Sequence, residues 1–120
     1  MARRTASAIS KRGSVRPVSE SAIQNEIITQ LATHPLVVWA HVTTNGKVNR
    51  RGHWFTLGFP GQADIIGQTH DGRILAIEVK KPGEDATDEQ QKFIDLVNRY
   101  SGRAGVAHDV AEAFSVVAMP

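Results

Sequence analysis

The sequence predicts an α/β domain in which a mixed central sheet is flanked by helices. Three observations carry that prediction. Apolar residues recur at helical spacing in three segments, each with a capping residue in front of it. Short apolar runs punctuated by Gly and Pro lie between them. Helices and strands alternate along the chain, in an order of roughly αβββαβα, instead of segregating.

The first helix is expected from Ser19 to Thr33. Ser19 suits an N-cap, and Ile23, Ile27 and Leu31 recur every four residues. Leu36 to Val42 reads as a strand. Thr43 to His53, with Asn45-Gly46 and Arg50-Arg51-Gly52, reads as a turn and a basic loop. Trp54 to Phe59 is extended and stops at Pro60-Gly61. Ala63–Gly67 and Arg73–Lys80 are two further strands, and Pro82-Gly83 breaks the second. Thr87 and Gln90 form a capping box for a helix from Asp88 to Tyr100, with Phe93, Ile94 and Val97 on its apolar face and Ser101-Gly102 at its end. Ala104–Ala107 is a short strand. Asp109 caps a last helix carrying Val110, Ala113, Phe114 and Val117.

A chain of 120 residues, 41% of them hydrophobic, makes one domain with one modest core. The absence of cysteine excludes disulfide scaffolds, thiolate metal sites and cysteine nucleophiles. No apolar run approaches the roughly 18 residues of a membrane span, and the basic N-terminus has no apolar stretch of the kind a signal peptide needs. The expectation is a cytoplasmic protein that makes no contact with a membrane. The net charge of +2 is unevenly distributed. Five of the fourteen basic residues precede residue 19 and no acid does, so the remainder holds nine bases against twelve acids, a net of −3. Residues 1–18 read as a disordered basic tail and residues 19–120 as the folded domain. A basic tail on an acidic body fits a nucleic-acid handle beside a metal site, and equally a solubilising extension.

The chemically informative stretch is Gly61-Gln62-Ala63-Asp64, followed by Ile77-Glu78-Val79-Lys80. Side chains alternate along a strand, so Glu78 and Lys80 share one face while Ile77 and Val79 enter the core. Charges on an apolar strand are costly unless paired or bound to metal. Whether Asp64 joins them depends on the turn. A two-residue turn at Asp71-Gly72 sets Asp64 against Val79, on the wrong face. A three-residue loop, His70-Asp71-Gly72, sets it against Glu78 and gives Gly72 the left-handed position such loops need. The second register is predicted. It holds two carboxylates about 5 Å apart, which cannot both ionise cheaply without a cation between them. Oxygen ligands of this kind suit Mg²⁺ or Mn²⁺, with the Val79 carbonyl as a further ligand. Lys80 is placed to orient a water or to stabilise developing charge. Glu20 falls in the middle of the first helix's apolar stripe and is expected to face the site, reaching the metal through a water. Glu26 projects about 120° away, to solvent, on helical geometry.

This ordered set resembles the PD-(D/E)XK nuclease superfamily, and more closely the stand-alone virus-type replication-repair nuclease (VRR-NUC) domain. The residues that carry the resemblance are Ser19-Glu20-Ser21-Ala22-Ile23-Gln24, Gly58-Phe59-Pro60-Gly61-Gln62-Ala63-Asp64, Ile77-Glu78-Val79-Lys80 and Thr87-Asp88-Glu89-Gln90-Gln91. It extends over nearly all of Ser19 to Val117. The first motif departs from the tighter Pro-Asp form, with Gly61-Gln62-Ala63 between Pro60 and Asp64, leaving Asp64 as its only acid. The resemblance implies a restriction-endonuclease-like αβββαβ core, dependence on Mg²⁺ or Mn²⁺, and phosphodiester hydrolysis in DNA. Asp64 and Glu78 would bind metal, Lys80 would be catalytic, Glu20 would be the helix acid, and Gln90 would stand near the site. It further implies a homodimer that resolves Holliday (four-way) junctions or cuts other branched DNA, in phage or bacterial replication and repair. A nuclease-fold DNA-binding module without turnover is the alternative.

The five histidines show no metal-ligand spacing and read as loop or surface residues. Lys47, Arg50, Arg51 and His53 are candidates for gripping phosphates, or form a solvated turn. Lys81 faces away from Lys80 and suits an ion pair or a DNA contact. Trp39 and Trp54 are expected in the core or a dimer interface, with base stacking as the lesser reading.

Overall fold

The computed structural model describes residues 18–43, 47–56 and 61–120, except for the side chains at 47, 48, 55 and 56. Helix α1 (Glu20–Leu31) starts where the cap chemistry places it, with Ser19 Oγ accepting from Ala22 N at 3.0 Å. Ile23, Ile27 and Leu31 form its buried face. It stops two residues before the expected Thr33, because His34 precedes Pro35 and is pushed out of helical geometry. Strand β1 (Val37–Val42) follows.

The stretch expected to be a turn and basic loop is instead half of a hairpin. Strands β2 (Lys47–Arg50) and β3 (His53–Thr56) pair antiparallel around Arg51-Gly52, both at positive φ (53° and 82°). That is the two-residue turn whose twist matches its strands. The expected extension of this strand to Phe59, the Asn45-Gly46 turn, Pro60 and residues 1–17 lie outside the described residues.

Strands β4 (Ile65–Thr69) and β5 (Ile74–Val79) pair antiparallel through the three-residue loop His70-Asp71-Gly72. Thr69 N donates to Arg73 O at 3.0 Å, Gly72 N donates to Thr69 O at 2.9 Å, and Gly72 has φ +84°. The capping box of α2 (Asp88–Arg99) is formed by Thr87 and Gln90. Strand β6 (Arg103–Ala107) pairs parallel to β5, and Asp109 caps α3 (Val110–Val117). The left-handed residue that ends α2 is Ser101 (φ 71°).

The sheet order is β1-β4-β5-β6, so the domain is α/β with a mixed four-stranded sheet. Alternation along the strands divides the core into two layers. On one face Ile65, Leu75, Ile77 and Val79 pack against α1 and α3. On the other Ala76 and Ala104 pack against Ile94 of α2. The second layer is thinner, since α2 covers β5 and β6 and leaves the β1 side open. Trp39 therefore lies outside the core, 45% exposed, stacked on His41 and donating from Nε1 to Gln68 Oε1 at 3.0 Å. Among the described residues no helix is long and apolar enough to cross a membrane.

Candidate functional site

Register brings the two predicted acids together. Ile65 is opposite Ile77, and one step further along the strands sets Asp64 against Glu78. Asp64 lies just before β4, where Thr43 holds the chain, with its N donating to Asp64 O (2.8 Å) and its Oγ1 to Ala63 O (2.7 Å). Asp64 Oδ2 in turn accepts from Val79 N at 2.8 Å, pinning the carboxylate to β5.

Glu78 is the central group. It is 2% exposed, near the end of a strand that is otherwise apolar. Its Oε2 accepts from Gln90 Nε2 at 2.8 Å and lies 4.0 Å from Lys80 Nζ. Its Oε1 is buried with no hydrogen-bond donor among the described residues. Burial, and after it the neighbouring Asp64 carboxylate, push the Glu78 carboxyl up to about 8. Lys80 opposes the rise and Glu20 adds to it. The predicted helix acid thus acts electrostatically on this carboxylate, half-buried at the first turn of α1. Glu26 is exposed, as its helical phase requires.

Helix α2 reaches the site through Gly61. That residue has φ +78°, and a Cβ there would collide with the Glu89 carbonyl, so only glycine lets the chain leading to Asp64 pass the first turn of α2. Gln90, the third helical residue, then reaches both its cap and Glu78.

The donor set fits a hard divalent cation in part. Two carboxylates converge, and a buried oxygen needs either a proton or a cation. Among the described residues no three His, Cys, Asp or Glu side chains converge tightly enough to hold an ion by themselves. Asp64 and Glu78 would be the protein's direct side-chain ligands, supplemented by the Val79 carbonyl, with Glu20 acting through water.

The expected DNA contacts separate. Arg50, Arg51 and His53 are exposed on the β2–β3 hairpin. Lys47 belongs to the same hairpin by its backbone, and its side chain lies outside the description. Lys81 pairs with Glu84 at 3.7 Å. Of the histidines, His34 lies edge-on to Phe114 and His108 is clasped by Glu112 (2.6 Å) and the Glu84 carbonyl (2.8 Å).

Two features escaped sequence reasoning. Arg103 bridges Asp71 Oδ1 (2.7 Å), Thr69 Oγ1 (2.9 Å) and Met119 O (2.6 Å), tying β6, the β4–β5 turn and the C-terminus together. A largely apolar hollow of about 730 Å³ opens between the sheet and α2, lined by Ile66, Ile74, Phe93, Leu96, Val97 and Tyr100 among others. Neither has a local signature, because each depends on residues far apart in the chain. No protein-family model matches the chain, and no curated protein matches it.

Proposed function

We propose that this chain is an Mg²⁺- or Mn²⁺-dependent DNA endonuclease that hydrolyses phosphodiesters at the site formed by Asp64, Glu78 and Lys80. The observation that carries the reading is Glu78: a buried carboxylate opposite a second one, with one oxygen lacking a donor and a lysine 4.0 Å from the other. A buried acid with one oxygen left unserved is costly, and functional sites are where such costs are retained.

A divalent ion bound there would polarise the scissile phosphate and lower the pKa of a bound water. The chain's own residues do the rest. Asp64 is held in place by Val79 N, so its carboxylate is oriented before any ligand arrives. Gln90 fixes the rotamer of Glu78 by donating to Oε2. Lys80 is placed to orient the attacking water or to stabilise the charge that develops on phosphate oxygen. Glu20 adds negative charge at the rim. A preference for branched DNA, four-way junctions in particular, and a two-fold homodimer rest on the sequence resemblance alone.

The test uses the full chain with fluorescent four-way junction, flap and linear duplex, with and without Mn²⁺. Metal-dependent cleavage is expected, falling about 10²-fold or more in Asp64→Ala and Lys80→Ala. Binding without cleavage of any substrate would establish a nuclease-fold binding module instead.

A further inference from the structure

We infer that the β2–β3 hairpin is a two-faced nucleic-acid contact in which Trp54 stacks on an unpaired base while Arg50 and Arg51 hold phosphates. The inference rests on the nuclease reading for its biological setting, but its observations are separate from the metal site.

The first observation is Trp54 itself. It is 67% exposed, outside the core that was one of its two expected places. Asn49 is its cross-strand partner, and Arg50 faces His53 one pair closer to the turn. Neighbouring pairs alternate between faces. Trp54 therefore shares its face with the polar Asn49, and the opposite face carries Arg50 with His53. An aromatic surface of that size on a strand, with a polar group beside it and cations on the reverse face, suits stacking on a base while phosphates are held.

The second observation is charge. No acid occurs between Glu26 and Asp64, so the whole hairpin is acid-free and its tip carries Arg50, Arg51 and His53. That complements a phosphate backbone and repels none of it. The third is the turn. Arg51 has φ 53°, a position that Asn or Gly fills at less cost. Asn49 Oδ1 braces the turn by accepting from Gly52 N at 3.3 Å. The arrangement carries a guanidinium at the apex where a cheaper residue would complete the turn. A thin ribbon with a stacking face and a cationic face can hold phosphates while it stacks on an unpaired base, and a branch or an opened duplex end offers both.

The experiment measures binding by fluorescence anisotropy in Ca²⁺, with a fluorescein-labelled, fully paired duplex and the same duplex opened to a fork. Trp54→Ala should weaken fork binding about tenfold and duplex binding less than about twofold. Trp54→Phe should retain most of the fork affinity. Arg50→Ala with Arg51→Ala should weaken both substrates and reduce the slope of log affinity against log salt by about two. Circular dichroism and sedimentation on each variant accompany the binding curves. Equal loss on both substrates, no loss on either, or conversion of a dimer to a monomer by Trp54→Ala would each overturn the inference. Cleavage by the unaltered chain is assayed in parallel. Cleavage together with a neutral Trp54→Ala removes this inference and leaves the nuclease reading, whereas Trp54-dependent fork binding without cleavage does the reverse.

Discussion

The side-chain amide of Gln90 spans two structures at once: its oxygen accepts from Thr87 N and its nitrogen donates to Glu78 Oε2, both at 2.8 Å. The cap of α2 and the most buried carboxylate of the domain therefore share one side chain. Thr87→Ala removes only the cap and should cost about 1 kcal/mol. Gln90→Ala should cost at least as much and also free Glu78. Thermal melts with and without Mn²⁺ separate the two roles. The Mn²⁺-induced rise in Tm should change in Gln90→Ala and not in Thr87→Ala; equal rises in both would show that Gln90 serves the helix alone.

Glu78 makes metal-free stability depend on pH. Its carboxyl is raised from 4.5 to about 8 in the folded chain, so the folded state binds the proton more tightly than the unfolded one. The contribution is present below about 4.5 and is lost as pH rises towards about 8, at up to about 1.4 kcal/mol per pH unit. Urea melts in EDTA should show stability falling across that window, and Glu78→Gln should flatten the fall. A variant that kept the same slope would assign it to another group.

Arg103 acts as a clamp. Its guanidinium holds the Asp71 carboxyl far below the usual carboxylate range while also serving Thr69 and the Met119 carbonyl. Arg103→Ala should destabilise by about 2 kcal/mol, since charge-assisted hydrogen bonds are lost around a side chain only 14% exposed. Arg103→Lys should recover little, because an ammonium cannot reproduce the fork. Full recovery by lysine in chemical denaturation would mean that charge, not geometry, does the holding.

His108 offers a second, separable pH dependence. The Glu84 carbonyl, then the Glu112 carboxylate, hold it above its ordinary 6.5, and His108 holds Glu112 below its ordinary 4.5. The histidine's contribution is present below about 6.5 and lost as pH rises through its raised value. The glutamate's is present above about 4.5 and lost as pH falls through its lowered value. His108→Ala should thus cost most between about 4.5 and 6.5 and least in alkali. A cost independent of pH would indicate packing alone.

What was legible in the sequence follows from what is local. Ser19, Thr87 and Asp109 cap their helices because a cap needs only a side chain and an amide two or three residues on. The Asp64–Glu78 register was legible because Gly72 discriminates between two turn lengths. β2 was not, since Lys47 to Arg50 lacks the apolar alternation that marks a strand, and its turn uses Arg51 where Asn is usual. The core reading of Trp39 and Trp54 failed because size predicts burial only where another layer is available to cover the residue. The Arg103 clamp joins residues 32 positions apart, a pairing that no spacing rule reveals.

The loop His70-Asp71-Gly72 imposes a rule of parity on how this chain can evolve. Surface turns ordinarily drift in length, and a residue gained or lost at a solvent-exposed tip is nearly neutral. Here one acid immediately precedes the first strand and the other lies in the second, and a strand reverses its faces with every single-residue slip. One inserted or deleted residue that slid the pairing by one would turn Asp64 away from Glu78 and move the apolar set of β4 to the wrong layer. Changes in steps of two would slide the acids along the same face and keep the core intact. Lineages that retain the chemistry should therefore vary this loop freely in composition, and in length only where an added residue is absorbed with the Thr69–Arg73 closing pair kept or slides the pairing by an even number.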